Sequence, residues 1–189
     1  MRKIFLAIRI PIDPMVELMV NELQRNFNFM DVRWVEPQYL HMTIKYFGPT
    51  SEKRIKKIVE LLSAHLQNNG SFTLSINKLG MFGSRGAPKL LWLGIKEEQQ
   101  LTDLAKNIQS QLDTLGIYAD RQNFVPHITL GRIVKTNSNK FFQKQMAKFK
   151  TIDMHPIDVP NIVLLESIIS EKGVNYKQIE IFDLIKYTQ

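Results

Sequence analysis

The sequence predicts an α+β fold of two similar lobes, each an antiparallel sheet with helices on its outer face, related by a pseudo-twofold axis around a central cleft. The segment His-Met-Thr-Ile at residues 41–44 recurs as His-Ile-Thr-Leu at residues 127–130. Each copy is followed by a turn region and an amphipathic helix, as expected for an internal repeat. Strand-like segments also follow one another without a helix between them, and no glycine-rich phosphate loop occurs, which disfavours a parallel doubly wound sheet.

Runs rich in Ile, Val, Leu and Phe predict the strands. They lie at residues 3–10, 41–47, 72–79, 89–95, 127–134, 161–170 and 176–184.

Helical periodicity predicts four helices between these strands. Asp13 is a typical N-cap for the first helix, with Pro14 at the first helical position. Its apolar face is expected to comprise Met15, Leu18, Met19 and Leu23. The second helix is expected after Ser51, the third ends at Gly116, which suits a C-cap, and the fourth follows Ser138.

Composition limits the class of protein. The 189 residues, 44% of them hydrophobic, suffice to bury roughly 70% of the unfolded surface, and we expect residues 1–189 to form a single domain of two intertwined lobes. The absence of cysteine excludes disulfide scaffolds, cysteine nucleophiles and thiolate zinc sites. No apolar run reaches the roughly 18 residues of a membrane span, and the first residues do not resemble a signal peptide. A cytoplasmic protein without a membrane partner is therefore expected.

The net charge of +7 is compatible with an anionic partner such as nucleic acid. A plain excess of surface lysine explains the same number, so charge alone does not identify a partner.

The repeated His-x-Thr motif carries the chemistry. Residues i and i+2 of a strand point to the same face, so each motif places an imidazole beside a hydroxyl. Two such strands side by side would surround one pocket with His41, Thr43, His127 and Thr129. Because histidine titrates near pH 6.5, the two imidazoles can act as a general acid and a general base. The hydroxyls can hydrogen-bond phosphate oxygens, and Arg132 can bind the charge.

A single His-x-Thr in a strand is usually without function, but two copies with matched surroundings are a specific pattern. The other two histidines, His65 on the predicted second helix and His155 before a proline, are assigned structural or surface roles.

Longer strings around the motifs carry a resemblance to a known family. They are WVEPQYLHMTIKYFG at residues 34–48, KLLWLGI at 89–95 and FVPHITLGRI at 124–133, together with the opening RKIFLAIRIP and a closing LLESIISEKGVNYKQIEIFDL. Over nearly its whole length the chain resembles the bacterial and archaeal RNA 2',3'-cyclic phosphodiesterases, long called 2'-5' RNA ligases, of the two-histidine phosphoesterase superfamily. Both His-x-Thr pairs and Arg132 fall on that family's signature positions. Gly131 replaces an alanine found in many relatives, a change expected to matter little.

The resemblance implies metal-independent, cofactor-free hydrolysis of an RNA or nucleoside 2',3'-cyclic phosphate to the 2'-phosphomonoester. It implies that His127 is the proton acceptor that activates water and that His41 is the proton donor to the departing 3' oxygen. The motifs alone do not rank the two histidines. The reverse reaction would form 2'-5' linked RNA. Phe5 is implied as a further substrate contact.

Other residues are weighed as RNA contacts. Lys45 is expected to face the cleft because it lies two residues beyond Thr43. Arg85, in the loop at residues 80–88, and the lysines of the second and fourth helices are compatible with RNA binding or with a solvated surface. Single-stranded RNA is commonly held by stacked aromatic rings, and the aromatic residues near the motifs are Phe5, Trp34, Tyr46 and Phe124.

Alternative functions remain open at this stage. A phosphodiesterase acting on another cyclic or 2'-5' linked nucleotide would use the same residues. A non-catalytic RNA-binding module is disfavoured because both motifs are intact. A zinc hydrolase is disfavoured because two histidines fall short of the usual three protein ligands. A monomer is expected, since the repeat supplies two half-sites within one chain.

Overall fold

The computed structural model describes residues 1–84, 87–96, 99–119, 125–136, 138–170 and 173–185. The strands among them are β1 Arg2–Arg9, β2 Met30–Trp34, β3 His41–Thr50, β4 Phe72–Leu74, β5 Ile76–Ser84, β6 Ala87–Ile95, β7 His127–Thr136, β8 Ile157–Val159, β9 Asn161–Ser170 and β10 Gly173–Asp183. The helices are α1 Pro14–Asn26, α2 Glu52–Leu66, α3 Gln99–Asp113 and α4 Asn139–Lys148, and a short 3-10 helix spans Pro37–Tyr39.

Eight of these strands form one antiparallel sheet. Its order is β10-β9-β1-β3-β7-β6-β5, with β2 beside β7, while β4 pairs with β8 separately. The two motif strands, β3 and β7, lie next to each other and are paired through Met42 and Ile128. This junction divides the sheet into one half around β3 and another around β7. The predicted α+β fold with antiparallel strands and helices outside is confirmed, and the two halves are joined into one sheet.

The helices pack against the sheet and against one another through their apolar faces. α2 contacts both α3 and β10. α1 reaches α4 through Phe27 and Phe142, whose ring centroids lie 5.9 Å apart. Beyond α4, the carbonyl of Phe149 accepts a hydrogen bond from the Leu79 N–H of β5 at 3.0 Å. These contacts cover the face of the sheet from which Met42 and Ile128 project into the main hydrophobic core.

The predicted cap at Asp13 is confirmed, and α2 and α4 begin directly after Ser51 and Ser138 as expected. The Asp13 carboxylate accepts hydrogen bonds from the N–H groups of Met15 and Val16, both at 2.9 Å. Ser51 and Ser138 cap α2 and α4 in the same way. Each cap satisfies N–H groups that the first turn of a helix leaves without partners.

The predicted apolar face of α1 is partly wrong. Leu23 is buried as expected, but Met15 and Leu18 are exposed, and Val16 and Val20 face the core instead. Val16, Val20 and Leu23 are spaced four and three residues apart and form the alternative stripe. The helix therefore presents its β-branched residues to the core.

Two short strands were not predicted, and one predicted strand is divided. The segment expected at residues 72–79 forms β4 and β5, separated at Ser75, whose carbonyl accepts a hydrogen bond from the Lys96 N–H at 2.8 Å. The additional strands are β2 and β8.

Candidate active site

The junction between β3 and β7 sets the geometry of the site. Met42 and Ile128 are Cα partners in an antiparallel pair, and both side chains are completely buried. Continuing this register by one residue places His41 across from Thr129, and Thr43 across from His127. Because side chains alternate along a strand, all four point to the face opposite the core.

That face forms one wall of a cavity of about 700 Å³. Five of the seven predicted site residues line it, and His127 and Lys45 are the two that do not; the five are Phe5, His41, Thr43, Thr129 and Arg132. Its other lining residues are Lys3, Arg33, Trp34, Val35, Glu36, Tyr39, Tyr46, Ser167, Ile169, Val174 and Tyr176. His127 begins β7 and is close enough to His41 to influence its ionisation electrostatically. The two motifs therefore meet at one site.

Both imidazoles are oriented by the same backbone contact. Nδ1 of His41 donates a hydrogen bond to the carbonyl of Tyr39 at 2.7 Å, and Nδ1 of His127 donates one to the carbonyl of Val125 at 2.8 Å. A carbonyl oxygen only accepts, so Nδ1 carries the proton in each ring. Nε2 is consequently the atom that can take up or release a proton at each histidine.

Aromatic rings flank each imidazole. The ring centroid of His41 lies 5.0 Å from those of Phe5 and of Tyr176. The ring centroid of His127 lies 5.0 Å from that of Phe82 and 6.0 Å from that of Trp92. Packed rings restrict the rotation of both imidazoles.

Burial makes His41 a weak base. Removal from water lowers the pKa of the His41 imidazole below its ordinary value of 6.5, and the charge of His127 lowers it further. The hydrogen bond to Tyr39 acts in the opposite direction. His41 is therefore neutral at pH 7 in the free protein.

Tyr176 is electrostatically linked to Arg132. Burial raises the pKa of the Tyr176 hydroxyl, and the positive charge of Arg132 opposes the rise. The hydroxyl therefore stays protonated at neutral pH, as a possible hydrogen-bond donor at the cavity.

The structure changes the expected role of Phe5. Its side chain lies at the cavity wall beside His41, as the sequence predicted, but only 4% of it is exposed, and its ring contacts both His41 and Tyr176. So little free surface leaves no room for a base to stack on it. Tyr46, which is exposed, and Trp34 line the cavity as expected for aromatic contacts. Phe124 and Arg85 lie outside the described residues.

The expectation that Lys45 faces the cleft is wrong. Leu6 and Ala7 are consecutive residues of β1. Their Cα partners on β3 are Lys45 and Thr43, which are two residues apart, so β3 has one extra residue here. The extra residue is a β-bulge, which reverses the alternation of side chains beyond it. Lys45 consequently points away from Thr43. It is buried, and its Nζ donates a hydrogen bond to the carbonyl of Tyr118 at 2.8 Å.

Sequence reasoning missed Arg33 as a site residue. Arg33 on β2 is the Cα partner of Arg132 on β7, and both line the cavity. The signal was present, because Met-Asp-Val-Arg-Trp alternates apolar and polar residues with the period of a strand. Lys3, at the start of β1, adds a third cation to the lining.

Gly131 allows β2 to approach β7 closely. A Cβ atom at this position would lie 2.7 Å from Cγ1 of Val32, 3.1 Å from the carbonyl oxygen of Arg33 and 3.2 Å from Cα of Trp34. The expectation that glycine in place of alanine matters little is therefore wrong for the packing of β2.

Within the described ranges, no three histidine, aspartate or glutamate side chains are grouped so that they could hold a metal ion. None of the helices in the described part of the chain is long and apolar enough to cross a membrane.

Known proteins are similar to this chain in sequence and in fold. A sequence model described as the 2'-5' RNA ligase superfamily matches residues 13–166. The chain belongs to the 2'-5' RNA ligase superfamily. An RNA 2',3'-cyclic phosphodiesterase of Archaeoglobus fulgidus is 32% identical over 152 residues, which are 80% of this chain and 84% of the relative. One of Aquifex aeolicus is 32% identical over 154 residues, 80% of this chain and 81% of the relative. The family resemblance inferred from the motifs is confirmed.

Solved structures share the fold of this chain. The crystal structure of TT0787 of Thermus thermophilus superposes with a TM-score of 0.81 at 21% identity, covering 98% of this chain and all of the other. Escherichia coli LigT complexed with 3'-AMP superposes with a TM-score of 0.74 at 21% identity, covering 97% of this chain and 98% of LigT. At this level of identity the likeness concerns the fold, which this chain shares along almost its whole length.

Proposed function

We propose that this superfamily member hydrolyses RNA or nucleoside 2',3'-cyclic phosphates to 2'-phosphomonoesters without a metal ion or other cofactor. The observation that carries the proposal is the meeting of two His-x-Thr pairs on one face, each histidine presenting Nε2 because Nδ1 is bound to a backbone carbonyl. The relatives named RNA 2',3'-cyclic phosphodiesterase support an enzyme of this type.

In the proposed mechanism, His127 is the proton acceptor and His41 the proton donor. Nε2 of His127 removes a proton from a water molecule, whose oxygen attacks the phosphorus of the cyclic ester. The bond from phosphorus to the 3' oxygen breaks, and Nε2 of protonated His41 delivers a proton to that oxygen. The product carries a 2'-phosphate and a 3'-hydroxyl. One proton is taken up and one is released, so a transfer between the histidines through solvent restores the starting state.

Because the pKa of His41 is lowered in the free protein, His41 can act as an acid at neutral pH only if substrate binding raises this pKa. A cyclic phosphate carries one negative charge, and a negative charge near an imidazole stabilises its protonated form. Substrate binding would thus raise the pKa of His41 and prepare it as the acid. Thr43, Thr129 and Arg132 line the same cavity and would hydrogen-bond the phosphate oxygens as charge builds up on them.

Ligation would use the same groups with a 5'-hydroxyl in place of water. His127 would remove the proton of the 5'-hydroxyl, whose oxygen would attack the phosphorus of the cyclic ester; the bond to the 3' oxygen would break and His41 would protonate that oxygen, which leaves a 2'-5' phosphodiester. We also propose that residues 1–189 act as one catalytic domain and as a monomer, because the two halves of the sheet supply one His-Thr pair each. A cytoplasmic location remains a prediction.

The deciding experiment is product identification. The purified chain is incubated with each of the four nucleoside 2',3'-cyclic phosphates and a 2'-5' linked dinucleotide, with and without EDTA, and products are assigned by ³¹P NMR. The 2'-phosphomonoester is expected from the cyclic substrates at a rate that EDTA does not change. Formation of the 3'-phosphomonoester would exclude the proposed leaving oxygen. Inactivation by EDTA that is reversed by zinc or magnesium would contradict the metal-free mechanism, and binding without turnover would favour an RNA-binding module.

A further inference from the structure

One wall of the active-site cavity belongs to β9 and β10 and carries aliphatic side chains. Ile169 and Val174 are Cα partners across this pair, as are Ser167 and Tyr176. All four line the cavity. Residues two apart on a strand share a face, so these four side chains form one continuous surface. We call Ile169 and Val174 the apolar shelf.

The shelf is exposed although it lies in the cavity wall. Ile169 is 68% exposed and Val174 is 44% exposed. Neither side chain can donate or accept a hydrogen bond, and leaving both in water forgoes the free energy of burying them. An apolar surface inside a catalytic cavity is the usual arrangement for holding the non-reacting part of a ligand.

The shelf is held in a defined position relative to His41. Tyr176, two residues beyond Val174, packs against the His41 ring with its centroid 5.0 Å away. Tyr39, whose carbonyl orients His41, donates a hydrogen bond from its hydroxyl to the Oδ1 atom of Asn175 at 2.6 Å. The same residues thus fix both the imidazole and strand β10.

The cavity therefore combines cationic and apolar lining. Lys3, Arg33 and Arg132 supply positive charge, which the single carboxylate of Glu36 offsets only in part, and the shelf supplies an uncharged aliphatic surface. A nucleotide has the same division, since its phosphate is anionic and the faces of its base are flat and weakly polar. We propose that the apolar shelf receives the nucleobase of the nucleotide whose cyclic phosphate lies at His41 and His127, an inference that rests on the proposed function.

The chemistry of the shelf also bears on specificity. Aliphatic side chains contact the face of a base and leave its hydrogen-bonding edges unread, whereas discrimination among bases needs donors and acceptors placed at those edges. The shelf therefore binds all four bases, with purines favoured over pyrimidines by their larger area. A second copy of this chain is the competing occupant, but a surface inside the cavity and next to the imidazoles suits a small ligand better.

The matched control is Ile168. It is the neighbouring residue on β9, it is also exposed, and it points to the opposite face, outside the cavity lining. Threonine keeps β-branching and strand preference, so Ile169→Thr, Val174→Thr and Ile168→Thr should all fold. Each variant is assayed with adenosine 2',3'-cyclic phosphate and with 1-O-methylribose 2',3'-cyclic phosphate, which lacks a base, and its mass is measured by sedimentation.

We expect Ile169→Thr and Val174→Thr each to lower kcat/KM for the nucleoside substrate by roughly three- to tenfold, since partial burial of one aliphatic side chain is lost. The base-free substrate should be unaffected, and Ile168→Thr should behave as the wild type with both substrates. Equal losses on both substrates, an equal loss in Ile168→Thr, or a dimer dissociated by Ile169→Thr would overturn the shelf. If the wild-type chain hydrolyses neither substrate, both the proposed function and the proposed role of the apolar shelf are contradicted. If Ile169→Thr is active with unchanged kinetics, only the proposed role of the apolar shelf is contradicted.

Discussion

Met42 on β3 and Ile128 on β7 are backbone partners and completely buried, and their pairing joins the two halves of the sheet. The residues on either side of this pair are the two histidines and the two threonines. One apolar contact in the core therefore aligns both halves of the active site on the opposite face.

Removing either imidazole should nearly abolish turnover. For His41→Ala and His127→Ala we expect kcat on a 2',3'-cyclic nucleotide to fall by about 10² to 10⁴, the usual contribution of one general acid or base. His155→Ala is the control, because His155 pairs with Asp13 and does not line the cavity. Circular dichroism should show that all three variants are folded. Retention of most of the activity in either motif variant would contradict two-histidine catalysis.

The pH dependence should reveal the role of His41. The fraction of protonated His41 falls as the pH rises through a pKa below 6.5. If His41 is the acid, kcat/KM, which reports the free enzyme, should decline on the alkaline side from a pH below 6.5. The decline in kcat, which reports the complex, should lie at higher pH because the bound anion raises the pKa. An increase of kcat/KM with pH through the pKa of His41 would assign it instead as the base.

The same pKa shift should appear in stability. Between the lowered pKa of His41 in the folded chain and its ordinary value of 6.5, the unfolded chain binds more protons. The free energy of unfolding therefore decreases as the pH falls from 6.5 through the folded pKa. In His41→Gln this part of the decrease should be absent, which urea denaturation at several pH values would measure. Identical pH dependence in the two proteins would show that burial does not depress the pKa of His41.

Arg132 should contribute as a planar, bidentate ligand and not merely as a charge. We expect Arg132→Ala to reduce kcat/KM by roughly 10- to 100-fold, and Arg132→Lys to recover only part of the loss, because an ammonium cannot hold two oxygens in a fixed geometry. Lys135→Ala, on the same strand but outside the cavity lining, should leave the kinetics unchanged. Full recovery in Arg132→Lys would indicate a role for charge alone.

Lys45 and Lys3 should show opposite effects. Lys45 is buried and bonded to the Tyr118 carbonyl, so Lys45→Met should lower the free energy of unfolding by about 1 kcal/mol with little change in kcat/KM. Lys3 is exposed at the cavity, so Lys3→Met should lower kcat/KM for RNA ends while leaving the stability unchanged. Kinetic damage in Lys45→Met without loss of stability would place its amino group at the substrate.

The parts of the site that could be predicted from sequence depend on local pattern. The alternation in His-x-Thr places imidazole and hydroxyl on one face regardless of partners, and the repetition of the motif indicated that the two strands meet. Caps at Asp13, Ser51 and Ser138 were predictable for the same reason, since they depend on side chains within one turn of the helix start.

The predictions that were wrong concern side chains whose position is decided by residues distant in the chain. The bulge that turns Lys45 away arises from the pairing of β3 with β1, and nothing in the residues after Thr43 marks it. Helix α1 has two apolar stripes of comparable hydrophobicity. Packing against the core, which the sequence of the helix alone does not reveal, decides which of them is buried. Phe5 lies beside His41 as expected, but its burial depends on Tyr176, more than 170 residues further along the chain.

Gly131 determines how closely β2 approaches β7, although it does not line the cavity itself. The absence of a methyl group lets β2 lie against β7, and β2 brings Arg33 and Trp34 to the cavity. In a Gly131→Ala variant of this chain, β2 would have to move outward or Val32 turn aside, and a shift of β2 would change the spacing between Arg33 and Arg132. The width of the cavity beside Arg132 therefore depends on the size of a residue that does not line it.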